Sequence, residues 1–291
     1  MNRDLVVDKL GIELIRRHLL TETIGRHLYL FDHTASTNVA LRELASGGAE
    51  EGTAVLAEAQ SAGRGRMGQA WFSPPGLNLY VSVLLRPNIS LRAVPVLSFI
   101  GSLALGDAVS AFGLPAVIKW PNDILVEGRK VAGCLVEVAE RSGRLDHVIL
   151  GAGINLNVPA RELNDSLGAA AVGAASMSEL AGHAVDRNLF AATFLNFLES
   201  WLCVYQTEGP RAVLAALENG GDWVVRRLSD REYEILCLLG SGKSVRQIAY
   251  ELRRSAKTIH THRARILEKL KMQTDAQLVQ YVLHRRLVES P

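Results

Sequence analysis

Glycines at 63, 65 and 68 alternate with Arg64 and Arg66 in the stretch AQSAGRGRMGQAWFSPPG, Ala59–Gly76. Residues without a Cβ let backbone N–H groups close on oxygens, and guanidinium groups add fork-shaped, charge-assisted donors, so this loop has the chemistry of an anion cradle. It is not a Walker A loop, because no Gly-Lys-Ser follows at the needed spacing. The GKS at Gly242–Ser244 lacks the required earlier glycine, that place being Cys237. Nor is it a dinucleotide fingerprint, since Trp71, Pro74 and Pro75 stand where a helix would have to start. Taken alone, the loop also fits a surface turn with two solvated arginines.

Five other stretches occur in order around it: STN at Ser36–Asn38, Gln60, KWPND at Lys119–Asp123, GRKVAG at Gly128–Gly133 and GAGINLN at Gly151–Asn157. Together with the loop they resemble the biotin protein ligase family over about Ile24 to Leu217. The resemblance implies an enzyme that condenses biotin with ATP to biotinyl-5′-adenylate and pyrophosphate. It then passes the biotinyl group to a lysine of a carrier, the biotin carboxyl carrier protein of acetyl-CoA carboxylase. The loop's anions would be the ATP phosphates and the phosphate of the adenylate.

Joining a carboxylate to a phosphate brings two anions together, so the transition state needs positive charge and oriented donors more than a protein nucleophile. By resemblance, Lys119, Arg64 and Arg66 are the catalytic residues. Ser36, Thr37, Asn38, Gln60, Gly63, Gly65 and Gly133 join them around biotin, with Ser36, Thr37, Asn38 and Gln60 on the ureido ring. Trp71, Asn122, Asp123 and Asn155 join Arg64 and Arg66 around ATP and the adenylate, with Asp123 either a Mg²⁺ contact or an orienting group. Lys130 is open between a solvated lysine and a site residue. ATP with Mg²⁺ is the substrate complex, biotin the second substrate, and no tightly bound metal is expected. The glycines suggest a loop that orders over the adenylate and keeps water out. Ala35, Met67 and Gln69 depart from residues the family often carries, acidic at the first and basic at the other two. Two rivals are a transcription factor whose core only senses biotin or its adenylate, and a lipoyl or octanoyl ligase.

These residues need a scaffold. A helix is expected over Asp4–Leu20, another after Ser36, whose hydroxyl can cap it, ending at Gly47–Gly48. TAVLAEAQ and LNLYVSVLLR read as strands, and Val94–Phe112 as a core helix. AVIKWPNDILVEGRKVAGCLVEVAE and HVILGAGINLN read as three more strands, with EGRK short enough for a hairpin. The fold class is therefore α/β (α+β), with a mixed, largely antiparallel sheet. The Ala-rich DSLGAAAVGAASMSELAG is a loop or a poor helix, and strong helices follow over Arg187–Tyr205 and Pro210–Leu217. ENGGDW marks the boundary between a ligase domain, 1–222, and a second domain, 223–291.

The second domain differs in charge. Of the 32 Lys/Arg and 30 Asp/Glu, 14 and 7 lie in Arg226–Pro291, leaving 18 and 23 for the rest. The segment reads as four helices capped at Ser229, Ser244, Ser255 and Thr274. Ile248, Ala249, Leu252, Ile259, Ile266, Leu267 and Leu270 would face inward. It resembles a LuxR-type helix-turn-helix, an all-α unit, which implies that Lys257, Thr258, His260, Thr261, Arg263 and Arg265 face double-stranded DNA, read by a homodimer. Regulatory biotin ligases carry a winged helix ahead of the core and most members end in a small barrel; neither is apparent. Cys134, Cys203 and Cys237 are spaced as buried free thiols. With no secretory signal and with polar residues inside the most apolar run, a cytoplasmic protein without membrane attachment is expected.

Overall fold

The computed structural model describes residues 9–167, 173–219 and 229–269, with 272, 274, 275 and 277–279 beyond them. The expected domain boundary between residues 222 and 223, residues 4–8 of the expected N-terminal helix and Leu270 lie outside the described residues.

A seven-stranded sheet runs in the order β1-β2-β3-β7-β6-β5-β4. Its strands are β1 (Leu28–Phe31), β2 (Ala54–Ala57), β3 (Leu79–Leu85), β4 (Ala116–Lys119), β5 (Asp123–Val126), β6 (Arg129–Arg141) and β7 (Arg144–Ile154). Only β1 and β2 pair in parallel; the other five pairings are antiparallel, as the fold class expected. The KWPND–EGRK–GAG region makes four strands where three were expected, because Pro121 and Asn122 break the first apolar run. The EGRK hairpin is present and its loop is Glu127–Gly128. Both residues have positive φ, 51° and 75°, the handedness that suits a two-residue turn between twisted strands.

Period-2 alternation assigns each strand residue to a face. Ala54, Leu56, Val81, Val83, Leu85, Ala132, Cys134, Val148, Leu150 and Ala152 point into the main core. That core is roofed by α3 (Pro95–Ala111) and α6 (Arg187–Glu208). Eleven of the 17 residues of α3 are buried there, as expected of a core helix. Phe190, Phe194 and Leu198 of α6 are fully buried. On the opposite face, α2 (Thr37–Ser46) lays Leu41 and Ala45 over Val55, Leu84 and Ile149. Ser82, Gly133, Glu137, Gly151 and Gly153 on that face are small or polar, and the cleft opens beside them, with Leu135 in its lining.

Several expectations need correction. The first helix, α1, is only Ile12–Arg16, with Gly11 at its N-cap. Ser36 occupies the N-cap of α2, but its hydroxyl makes no capping bond. Strand β1 was not foreseen, because HLYLFDHT is flanked by polar residues and lacks a turn signal. Helix α4 (Ala160–Leu167) ends at the start of the Ala-rich stretch and α5 (Met177–Ala181) lies near its end, while residues 168–172 of it lie outside the described residues; α7 is Pro210–Asn219. Cys134 is buried, but Cys203 is exposed on α6; the side chain of Cys237 lies outside the described residues.

The C-terminal helices are α8 (Asp230–Gly240), α9 (Val245–Glu251) and α10 (Ala256–Lys269). Their caps are as expected: Glu232 N–H donates to Ser229 Oγ, a reciprocal Ser244–Gln247 box opens α9, and Thr258 N–H donates to Ser255 Oγ. Thr274 accepts from Gln277 N–H, starting a fourth turn. Ile235, Leu236, Leu239, Ile248, Ile259 and Ile266 form their core, and Val117 of β4 and Leu125 of β5 belong to the same cluster. The helical unit is thus seated on the outer face of the β4–β5 hairpin.

Candidate active site

The cleft has a volume of about 520 Å³ and is lined from α2, the Gly-rich loop, the β4–β5 turn, β6 and β7. At one end the start of α2 presents Ser36, Thr37 and Asn38, all about 5% exposed. Gln60 Oε1 accepts from Thr37 N–H at 2.9 Å and its Nε2 donates to Ser73 Oγ at 3.0 Å. Asn38 Nδ2 donates to Glu137 Oε2 at 2.8 Å, and its Oδ1 lies 2.6 Å from Ser82 Oγ. Here the glycines of GAGINLN acquire a reason. A Cβ on Gly151 would overlap the Asn38 amide, and one on Gly153 would lie 2.5 Å from the Trp71 indole. These two glycines are slots for the side chains that shape the cleft.

The loop folds back on itself: Gly65 N–H donates to Gln69 O at 2.7 Å, Trp71 N–H to Gly63 O at 2.9 Å, and Arg64 bridges to Ala70. Met67, at φ 54°, and Gly68, at φ 76°, make the turn at its tip. Gly63 is required by crowding, since a Cβ there would stand 2.6 Å from Ser73 Oγ and 2.9 Å from Gln60 Nε2. Arg66 Nη1 donates to Asn122 Oδ1 at 3.1 Å. Arg64 Nη2 is 3.4 Å from Glu137 Oε1.

The KWPND turn contains a cis Trp120–Pro121 bond and brings Lys119 of β4 opposite Asp123 of β5. Asn122 is fixed by a 2.7 Å bond from its Nδ2 to Cys134 O, so it positions Arg66. Asp123 Oδ1 is 2.6 Å from Lys130 Nζ, an ion pair across the β5–β6 hairpin. Lys130 also lies 5.2 Å from the centroid of the Trp71 ring, a cation–π distance. Gly133 leaves room for this pair, because its Cβ would lie 3.2 Å from Asp123 Oδ1 and 3.3 Å from Lys130 Cε. Asn155 is buried, lines the cleft and donates to Ala175 O at 3.2 Å.

The cleft therefore gathers Lys119, Arg64, Arg66, Ser36, Thr37, Asn38, Gln60, Gly65, Gly133, Trp71, Asn122, Asp123 and Asn155, as well as Lys130. Gly63 lies behind its wall. Sequence reading missed Glu137, Ser82 and Ser73. The E of CLVE, on the Gly133 face of β6 by alternation, was the available signal for Glu137. Cys134 borders the cleft, but its thiol points into the core, 3.5 Å from Ser98 O of α3, and burial pushes it up to about 11, which keeps it protonated and unfit as a nucleophile. The titratable equipment that remains is cationic and anionic, suited to bringing oxyanions together.

On α10, Lys257, His260, Thr261 and Arg265 are exposed. Thr258 and Arg263 are half-buried on the same helix. The Thr258 hydroxyl is 2.8 Å from Ser255 Oγ, and Arg263 Nε is 2.6 Å from Asp275 Oδ1.

Residues 30–155 match the Biotin/lipoate A/B protein ligase family, and residues 226–282 match the luxR family of bacterial regulatory proteins. The bifunctional ligase/repressor BirA of Bacillus subtilis is 39% identical over 202 residues, 69% of this chain and 61% of the relative. The chain thus spans about three fifths of the length of that relative. The biotin–[acetyl-CoA-carboxylase] ligase of Paracoccus denitrificans is 36% identical over 68% of this chain and 84% of its own length. That of Mycobacterium tuberculosis is 33% identical over 70% and 76%. Among solved structures, the biotin protein ligase from Aquifex aeolicus in complex with biotin and ATP superposes with a TM-score of 0.54. The identity is 28%, over 64% of this chain and 75% of that one. The fold, the contents of the cleft and these relatives agree: the chain belongs to the biotin protein ligase family, with a luxR-type helical unit joined to the ligase fold.

Proposed function

We propose that the chain is an ATP-dependent biotin–[biotin carboxyl carrier protein] ligase that also binds DNA as a transcriptional regulator. One observation carries the ligase reading: a polar pocket built from Thr37, Asn38 and Gln60 shares a single cleft with a Gly-Arg loop and two lysines. A neutral cyclic urea needs convergent donors and acceptors at the closed end of its slot, and a carboxylate attacking a phosphate needs cations at the other.

In the first step the biotin carboxylate attacks the α-phosphorus of ATP, forming the acyl–O–P bond as pyrophosphate leaves. Arg64, Arg66 and Lys119 spread positive charge along the phosphates, and Lys130, steered by Asp123 and Trp71, adds a point charge near the carboxylate. Such oriented donors act on the charge developing in the transition state. In the second step a carrier lysine attacks the acyl carbon and AMP leaves. Trp71 and Asn155 flank the place for adenine, with Asn122 holding Arg66. Mg²⁺ enters with the ATP phosphates as part of the substrate. Its contribution is to offset phosphate charge, and with Asp123 engaged by Lys130 the protein's share falls to the cations.

The luxR-type match and the basic face of α10 support double-stranded DNA as the second partner, read by a homodimer in the cytoplasm through Lys257, Thr258, His260, Thr261, Arg263 and Arg265. Incubating the full chain with biotin, ATP, Mg²⁺ and a carrier domain, followed by intact mass, tests the ligase reading. A gain of one biotinyl group on the carrier is expected. Modification with lipoate or octanoate in preference to biotin would favour the lipoyl-ligase alternative, and no modification would leave a sensor of biotin.

A further inference from the structure

Of the large apolar side chains exposed among the described residues, Met67 and Trp120 alone line the cleft. Met67 is 97% exposed at the tip of the Gly-Arg loop, and Trp120 is 51% exposed in the β4–β5 turn. The 3.1 Å bond from Arg66 Nη1 to Asn122 Oδ1 ties the loop to the turn. Met67 follows that arginine directly and Trp120 stands two residues before that asparagine, so the pair flanks one contact at the mouth of the cleft. Resting on the biotin-ligase reading, we infer that Met67 and Trp120 are the docking point of the carrier protein, gripping apolar side chains next to its acceptor lysine.

The second step of the reaction demands a surface here. The carrier amine forms a C–N bond to the acyl carbon, the acyl C–O bond breaks, AMP leaves with that electron pair, and the amine gives up a proton to water. A lysine side chain is short and the acyl carbon lies inside the cleft, so the carrier backbone on both sides of the lysine must come down on the mouth. Charge does not draw it there. The lining holds Arg64, Arg66, Lys119 and Lys130 against the single carboxylate of Asp123, and an adenylate adds only one negative charge. Such a surround repels an ammonium group and favours the neutral amine, which is the form that attacks. The attraction then falls to apolar contact, and tryptophan and methionine are side chains in which the centres of protein interfaces are enriched.

The two residues divide the task. The Trp120 ring lies 6.4 Å from that of Phe99 of α3, tilted by 38°, a contact within aromatic-pair range. This packing orders the indole in advance, so little freedom is lost when a partner lands on it. Met67 is the adaptable member, an unbranched thioether that fits irregular neighbours. A surface of this kind accepts a lysine flanked by apolar side chains and gives no grip to one flanked by charges.

The full chain with biotin, ATP and Mg²⁺ is followed in three ways: pyrophosphate release for the first step, transfer to hydroxylamine as a nucleophile too small to reach the mouth residues, and transfer to a biotin carboxyl carrier domain at varied concentration. Trp120→Ala and Met67→Asn are each expected to raise the KM for the carrier domain about tenfold, the scale of one lost anchor, with pyrophosphate release and hydroxylamine transfer within about twofold of wild type. Trp120→Phe should recover most of the loss. Serine in place of the apolar neighbours of the carrier lysine should weaken its use by the wild-type chain and add little to the loss in either variant, the mark of a shared contact. Asparagine tolerates the φ of 54° at Met67, so Met67→Asn keeps the test open if Trp120→Ala fails to fold. A carrier KM unchanged in either variant that folds would overturn the inference. So would equal slowing toward hydroxylamine and the carrier, which would mark the pair as a lid over the adenylate. A wild-type chain that releases no biotin-dependent pyrophosphate would instead overturn the ligase reading, and the inference with it.

Discussion

Replacing Gly151 by alanine tests the geometry on which the polar end of the cleft depends. The new Cβ would fall on the Asn38 side-chain oxygen and stand 2.9 Å from Asn38 Cγ. Gly151 sits in the middle of β7, paired on one side with Ser82 and on the other with Leu135, so the backbone cannot retreat. Asn38 must turn away instead, which breaks its bonds to Glu137 and Ser82. Overpacking of this kind costs about 1–3 kcal/mol, and each lost hydrogen bond about 1 kcal/mol. The total is on the order of 3 kcal/mol of stability, with biotin affinity lower by about tenfold or more. Urea unfolding and calorimetric biotin titration measure the two effects. The reasoning also specifies the partner: in an Asn38→Ala background the clash is gone, so adding Gly151→Ala should cost less than about 0.5 kcal/mol further, a strong departure from additivity. Additive losses, or a Gly151→Ala protein as stable as wild type, would refute the account.

Other consequences can be checked separately. Lys130→Ala and Lys119→Ala are each expected to slow biotin-dependent pyrophosphate release by about 10²-fold or more, the scale for loss of one oriented donor, and stopped-time assays at saturating ATP would expose a near-wild-type rate. The Asp107 carboxyl is raised above its ordinary value of 3.8, chiefly by burial, while the 2.7 Å bond from Trp201 Nε1 pulls the other way. The folded chain therefore holds that proton more tightly than the unfolded chain, and stability falls as pH rises from the unfolded value through the folded one. Asp107→Asn keeps an acceptor for Trp201 and should melt higher than wild type at pH 7, with the gain shrinking as pH falls through the folded value and gone below the ordinary value of 3.8; equal melting at neutral pH would contradict this. For DNA, Arg265→Ala should reduce the slope of log affinity against log salt by about 1, since one phosphate contact is lost, and an unchanged slope would remove Arg265 from the interface.

How far the sequence discloses the site depends on the kind of contact. Ser36–Asn38, the Gly-Arg loop and Lys119–Asp123 are legible because each packs its chemistry into a few consecutive residues. Glu137 and Ser82 are not, for they reach Asn38 across 99 and 44 positions, and nothing in CLVE or YVSV distinguishes a cleft-facing side chain from a solvated one until the strand's face is known. The glycines of GAGINLN show the same limit. Their presence is visible, but their reason lies in Asn38 and Trp71, which arrive from elsewhere in the chain. Among the elements, the Asp4–Leu20 pattern overran because Gly11 starts a helix that Arg17 already ends, while β1 needed β2 beside it to exist.

The partners of the cations also rank them. Arg66 is held by the neutral amide of Asn122, a contact that leaves its charge uncompensated. Arg64 shares Glu137 with Arg42, and Lys130 is paired with Asp123; part of each field is offset before any ligand arrives. Opposite charges a few ångströms apart cancel much of each other's potential at a third site, and the cancellation grows where water is excluded. The Gly-Arg loop is thus asymmetric: Arg64 anchors it to β6 above the polar end of the cleft, and Arg66, steadied by a residue of the β4–β5 turn, is the arginine that, on the proposed function, would carry the stronger field toward the phosphates. That same turn closes the hairpin whose Val117 and Leu125 seat the C-terminal helices. The support for Arg66 and the seat of the helical unit are consequently one element, with Val117 two residues before Lys119 and Leu125 three after Asn122.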